Sequence, residues 1–148
     1  MNAEELQRYI HANLPLTKAM GVTVQELAET HIRLGAPLLP NLNHKKTAFG
    51  GSLESLATVT AWSTLHVDLC RQGLRAELVI RHCEMSFLHP IDCDFSARAE
   101  FPAAEDRARF RKMYDRRGMG SFTMACQVEA AGQISARFVG QFVAVKVP

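Results

Sequence analysis

Between Glu54 and Asp68 the chain carries no formally charged side chain. The stretch from about Ser52 to about Arg71 nonetheless has helical spacing. Leu53, Leu56, Ala57, Ala61, Leu65 and Leu69 share one face, and Val59 and Trp62 add apolar surface elsewhere. A helix that is apolar around most of its circumference belongs inside a fold rather than on top of it. Twenty residues at helical rise span ~30 Å, the diameter of a small domain. The rest of the chain therefore has to wrap this helix.

The flanking segments can do so. Residues 3–14 read as an amphipathic helix, with Leu6, Tyr9, Ile10, Asn13 and Leu14 at helical spacing. Asn2 is placed to cap it, and Glu4 and Glu5 suit the positive end of its dipole. Pro15 ends it or opens a short turn reaching Met20 and Gly21. Residues 22–28 and 30–38 read as strands, with Ile32, Leu34 and Ala36 alternating against His31, Arg33 and Gly35. After the long helix comes a strand over 76–88, whose alternation falters near Arg81–Cys83 as a bulge would make it. Residues 94–101 and 120–130 alternate cleanly, Ala131–Gly132 reads as a hairpin turn, and 133–147 form the last strand. The segment 103–116, between two strands, can form a short helix. Consecutive alternating strands imply an antiparallel sheet, and one sheet face and one apolar helix bury each other. The expectation is one α+β domain over residues 1–148, without internal repeats.

Composition excludes several function classes. A chain of 148 residues with 47% apolar and 22% charged residues is neither disordered nor low-complexity. No apolar run reaches 18 residues, so no membrane insertion is expected. Met1–Arg8 lacks an apolar signal core, and Cys70, Cys83, Cys93 and Cys126 show no CxxC spacing, so reduced thiols in the cytoplasm are expected. His11, His31, His66, His82 and His89 form no HxxxH or HExxH pattern; no metal and no resident cofactor are expected. The net charge of +2 argues weakly against nucleic acid. That excess is concentrated: residues 105–117 hold six basic and three acidic side chains.

The chemistry is expected in the irregular loop 37–52. Gly50 and Gly51 allow close backbone approach just before the long helix. The first N–H groups of a helix have no internal partner and carry partial positive charge, so they can hold a carboxylate, a phosphate or a thioester oxyanion. A Gly-Gly pair that only starts a helix beside a sheet would look the same.

The run Pro40-Asn41-Leu42-Asn43-His44 followed by Thr47-Ala48-Phe49-Gly50-Gly51-Ser52-Leu53 resembles the signature of the bacterial family named for the YiiD C-terminal domain. Ala61-Trp62, Gln72-Gly73-Leu74, Val79-Ile80 and Leu88-His89-Pro90-Ile91 match it too, so the resemblance spans roughly residues 6–146. That family is thioesterase-like and includes malonyl-acyl-carrier-protein decarboxylases. The resemblance implies a hotdog fold, a curved antiparallel sheet wrapped around one long central helix. It also implies a homodimer joined at the sheet edges, with active sites at the subunit interface. Its substrate would be an acyl-carrier-protein or coenzyme A thioester, bringing phosphopantetheine with it.

Two reactions compete there. Hydrolysis needs an activated water. Many hotdog thioesterases place an acid on the central helix about two turns past the Gly pair, where this chain has Leu56, Ala57, Thr58 and Val59. Only Glu54, in the first turn, is nearby. Decarboxylation of a malonyl thioester needs no strong base. It needs donors to the enolate oxygen, for which the Asn43 amide and the backbone N–H of Gly51 or Ser52 are suited. The missing helix acid makes decarboxylation to acetyl-acyl-carrier protein, feeding fatty-acid initiation, the leading expectation. A thioesterase is the alternative, and a non-catalytic acyl-binding module the third reading. His44 is a possible base or solvated loop residue, and Thr47 and Ser52 are helix caps or carboxylate ligands. Phe49 would wall the acyl pocket or simply pack, and Gly50 would lie against the substrate. Arg107, Arg111, Lys112 and Arg116 are either a solvated helix face or a docking surface for the acidic carrier protein or coenzyme A phosphates.

Overall fold

The computed structural model describes residues 1–148. Helix α1 (Ala3–Asn13) opens with a capping box: Glu5 N–H donates to Asn2 Oδ1 at 2.9 Å, and Asn2 N–H donates to Glu5 Oε2 at 2.8 Å. Its stripe buries Leu6 and Ile10. Pro15 does not simply end the helix; it starts a second one, α2 (Pro15–Ala19), because its fixed φ suits a first helical position.

Strands β1 (Thr23–Leu27) and β2 (His31–Ala36) follow, then the loop and the long helix α3 (Gly50–Arg71). After α3 come β3 (Ala76–Phe87), β4 (Phe95–Glu100), α4 (Ala104–Arg117), β5 (Met119–Ala130) and β6 (Gln133–Lys146). The six strands form one antiparallel sheet in the order β1-β2-β4-β5-β6-β3. The β3–β6 register slips between Ile80 and His82, where the alternation falters in the sequence. Ala131 and Gly132 both take positive φ, +50° and +73°, as a tight hairpin twisted with its strands requires.

Helix α3 lies across β2, β4, β5 and β6. Leu53, Leu56, Ala57, Ala61, Leu65 and Leu69 are buried there against Leu34, Ala97, Ala99, Met124, Phe138 and Phe142. Thr60 and Thr64 are buried too, and each returns its hydroxyl to the helix backbone, to Leu56 O and Thr60 O at 2.7 and 2.8 Å. The helix begins at Gly50, two residues earlier than its periodicity predicts. Phe49 is the N-cap and offers no side-chain hydrogen bond, so neither Thr47 nor Ser52 caps the helix.

The basic segment is the helix α4. Phe110 and Tyr114 hold it to the sheet: the Phe110 ring stacks on Phe122 at 4.4 Å, and the Tyr114 hydroxyl donates to Arg75 O at 2.7 Å. Arg107 reaches back to α3, donating twice to Asp68 Oδ1, at 2.8 and 2.6 Å. Strand β3 closes one end of the sheet and leaves its outer edge unpaired. No helix is long and apolar enough to cross a membrane.

Candidate active site at the start of the long helix

Where α3 begins, two backbone donors are unspent. Ser52 and Leu53 N–H both donate to Phe49 O, at 2.9 and 3.1 Å, whereas Gly50 and Gly51 N–H have no acceptor within the chain. Of the backbone donors expected at this point, Ser52 is thus already engaged, and Gly50 joins Gly51 as a free one. Both glycines are helical, with no positive φ. A Cβ at Gly51 would push the Phe49 ring aside. That ring lies against the helix start and is half exposed.

Three hollows converge on these glycines. The largest, about 610 Å³, runs between α1–α2 and the first half of α3, lined by Leu14, Leu16, Met20, Gly51, Glu54 and Val59 among others. A second, about 360 Å³, shares Leu16, Met20, Gly51 and Ser55 with it and includes Phe49 and Ser52. A third, about 340 Å³, lies on the other side, where Asn43, Thr47 and Gly50 face Phe87, Leu88, His89 and Pro90. Predominantly apolar hollows with a few convergent polar groups are the usual form of a small-molecule site.

Glu54 stands one turn inside the helix and lines the largest hollow. The Cys83 thiol, from β3, donates to its Oε1 at 3.4 Å. Burial first, and the adjoining Glu54 carboxylate second, push the Cys83 thiol pKa up, so it stays protonated and donates rather than attacks. Cys83 was not expected at the site. Nothing local in the sequence places residue 83 beside residue 54.

Asn43 lies in the loop, half-buried, with its amide committed. Its Oδ1 accepts from Lys45 and Thr47 N–H at 2.8 and 3.1 Å, and its Nδ2 donates to Thr47 Oγ1 at 2.8 Å. Asn43 and Thr47 therefore brace one tight turn. His44 is exposed on that turn and borders none of the three hollows.

The basic residues lie elsewhere. Arg107 is held by Asp68, eighteen residues along α3 from Gly50, or ~27 Å at helical rise. Arg111 pairs with Asp115 at 2.9 Å. Lys112 and Arg116 remain exposed without an ionic partner. Within one chain, then, α4 sits at the far end of α3 from the two glycines. No group of three or more His, Cys, Asp and Glu side chains is arranged to hold a metal, and all four cysteines are free thiols.

A family model described as "Putative thioesterase (yiiD_Cterm)" matches residues 3–146, from the first residue of α1 to the last of β6. The chain belongs to that family. Solved structures carry the same hotdog architecture as this YiiD_C chain. A Chlorobaculum tepidum protein of unknown function superposes with a TM-score of 0.91 at 25% identity, covering 98% of this chain and 94% of the other. A Shewanella oneidensis protein with the same two-word label as the family gives 0.83 at 21%, covering 97% and 96%. A Pseudomonas aeruginosa protein described as a "Probable Thioesterase" gives 0.82 at 16%, covering 99% and 97%. The YiiD_C membership points to acyl thioesters as the substrate class.

Proposed function

We propose that this YiiD_C chain is an acyl-thioester hydrolase. The observation that carries the reading is the pairing of the unspent Gly51 N–H with the Glu54 carboxylate on the wall of one apolar hollow. The thioester oxygen accepts from Gly51 N–H, with Gly50 N–H as the second donor at the same helix start. Glu54 takes a proton from water as the water oxygen attacks the carbonyl carbon. The tetrahedral oxyanion rests on the backbone donors. When it collapses the C–S bond breaks, and Glu54 returns its proton to the leaving sulfur. The products are a carboxylic acid and a thiol.

Decarboxylation of malonyl-acyl-carrier protein has less support. Its expected donor, the Asn43 amide, is held in its own turn with one of its two N–H groups already given to Thr47 Oγ1. Glu54 is the one ionisable residue lining the large hollow, and it would repel a malonyl carboxylate. The test is mass spectrometry of acyl-coenzyme A and malonyl-acyl-carrier protein incubated with the protein. Release of free thiol, reduced about a hundredfold or more in Glu54→Gln, is the expected result. Loss of CO₂ with the thioester intact would replace hydrolysis by decarboxylation and return attention to Asn43.

We also propose a homodimer joined along the β3 edges. An unpaired twelve-residue edge strand exposing Val79, Ile80 and Phe87 supports this.

A further inference from the structure

We infer that the groove between α1–α2 and α3 is a ruler for an uncharged, saturated acyl chain of about ten to twelve carbons. This rests on the thioester reading of the Gly51 end and specifies which thioesters it takes.

The two helical arms run antiparallel. Leu16 of α2 and Met20, just past its end, stand beside Gly51 and Ser55, at the start of α3. Asn13 and Leu14, at the end of α1, lie along the same groove as Thr58 and Val59, two turns further on. One turn beyond, aromatic rings bridge the two helices. The Tyr9 ring stacks on His66 with centroids 4.6 Å apart and on Trp62 at 6.1 Å, while Trp62 and His66 stack at 4.9 Å. Trp62 is pinned from behind, its Nε1–H donating to Leu78 O at 3.3 Å. Tyr9 is one turn before Asn13, whose amide donates to Tyr9 O at 2.9 Å. Three rings from two helices therefore stop the end away from the glycines.

The groove's open length follows from the helix. Gly51 to Val59 is eight residues, ~12 Å at helical rise. A fully extended chain advances ~1.2 Å per bond, judged from three backbone bonds per residue. A thioester carbonyl at Gly51 thus has room for about ten bonds, roughly eleven carbons counted from the carbonyl, by the time its tail reaches Val59. The walls fit such a chain: Leu14, Pro15, Leu16, Met20 and Val59 are apolar. The lining includes no cation, and its single ionisable group is the Glu54 carboxylate. A chain ending in a second carboxylate would find no partner there.

The experiment measures kcat/KM for saturated acyl-coenzyme A thioesters from four to fourteen carbons. In the wild type it should rise about fourfold per methylene that enters the groove, then break at about ten to twelve carbons. Val59→Phe, which narrows the groove before its end, should move the break at least two carbons shorter. Tyr9→Ala, which opens the stop, should move it longer. The same series is titrated against Glu54→Gln, with the fluorescence of Trp62, the only tryptophan, as reporter of binding without turnover. Hydrolysis whose break is unmoved by both folded variants overturns the ruler and leaves the hydrolase standing. A length-dependent Trp62 signal without hydrolysis in the wild type retains the ruler and overturns the hydrolase. Binding and turnover both indifferent to chain length would mean that the groove is covered by something else, such as a second copy of the chain, and would overturn the ruler.

Discussion

Cys83 meets Glu54 from across the gap between α3 and β3, its thiol donating to the carboxylate. A donor so placed holds the carboxylate in one orientation without changing what it can do. Cys83→Ser keeps a donor of similar size and should retain most of the hydrolase rate. Cys83→Ala removes it and should lower kcat about fivefold while KM stays within about twofold, since the lost bond, ~1 kcal/mol, acts on the base and not on the substrate. Steady-state kinetics on one acyl-coenzyme A checks both, and a KM effect without a kcat effect would contradict the positioning role. Asn43 is a different case. From the sequence, Asn43→Ala is expected to leave the fold unaffected, as a loop amide contributes little to packing. The structure gives that side chain three hydrogen bonds within residues 43–47. Its removal should therefore cost about 1–2 kcal/mol in denaturant unfolding, through the turn.

At the scale of elements, α1 is tied down by rings as well as by aliphatic packing. His66 lies in the stack between α1 and α3, and burial pulls its pKa below the ordinary histidine value. The consequence for stability has a definite sign. Below the ordinary histidine pKa of ~6.5 the unfolded chain takes up a proton that the native ring resists, so this contribution is present above that pH and lost as pH falls. Tm should fall between pH 7.5 and pH 5.5, and His66→Phe should flatten part of that fall. Differential scanning calorimetry of the two proteins reads the difference, and parallel curves would show that the stack does not resist the charge. The other arm, α4, is fastened by Arg107 to a nearly fully buried Asp68, which Gln72 also serves with a hydrogen bond at 2.7 Å. A basic helix so anchored is partly a structural brace, which lowers the charge it can offer a partner.

For the whole molecule, the open β3 edge leads to the assembly prediction. Light scattering should give about twice the 16.5 kDa chain mass. Lysine at two edge-strand positions, Val79→Lys with Ile80→Lys, should return it to the monomer, because charge on an edge opposes pairing. Both side chains are half exposed, so the double variant leaves the core intact. A monomeric wild type would remove the dimer proposal, and with it the expectation that the active sites lie at a subunit interface. Much of this architecture was legible in the sequence. The buried faces of β4 and β5, the bulge near Arg81, the hairpin at Ala131–Gly132 and the encircled α3 all follow from local periodicity, which reports on each element by itself. What periodicity cannot report is which element lies opposite. The Cys83–Glu54 and Arg107–Asp68 pairs join residues 29 and 39 apart in sequence. The Gly50–Gly51 start was readable because a helix terminus carries its own unpaired donors. The α1–α3 groove was not, although the apolar Val59 and Trp62 off the main face of α3 were its trace.

The strand order also sets an order in time. Strand β3 is attached to the sheet only through β6, whose first residue, Gln133, comes 46 residues after Phe87, the last of β3. A growing chain emerges from its N-terminus at roughly 5–20 residues per second. During that interval β1, β2, β4 and α3 can assemble, but Ala76–Phe87 has no native neighbour to pair with. Every newly made copy thus passes several seconds with a bare, partly apolar strand, and the strand that shields it is translated only after β4, α4 and β5.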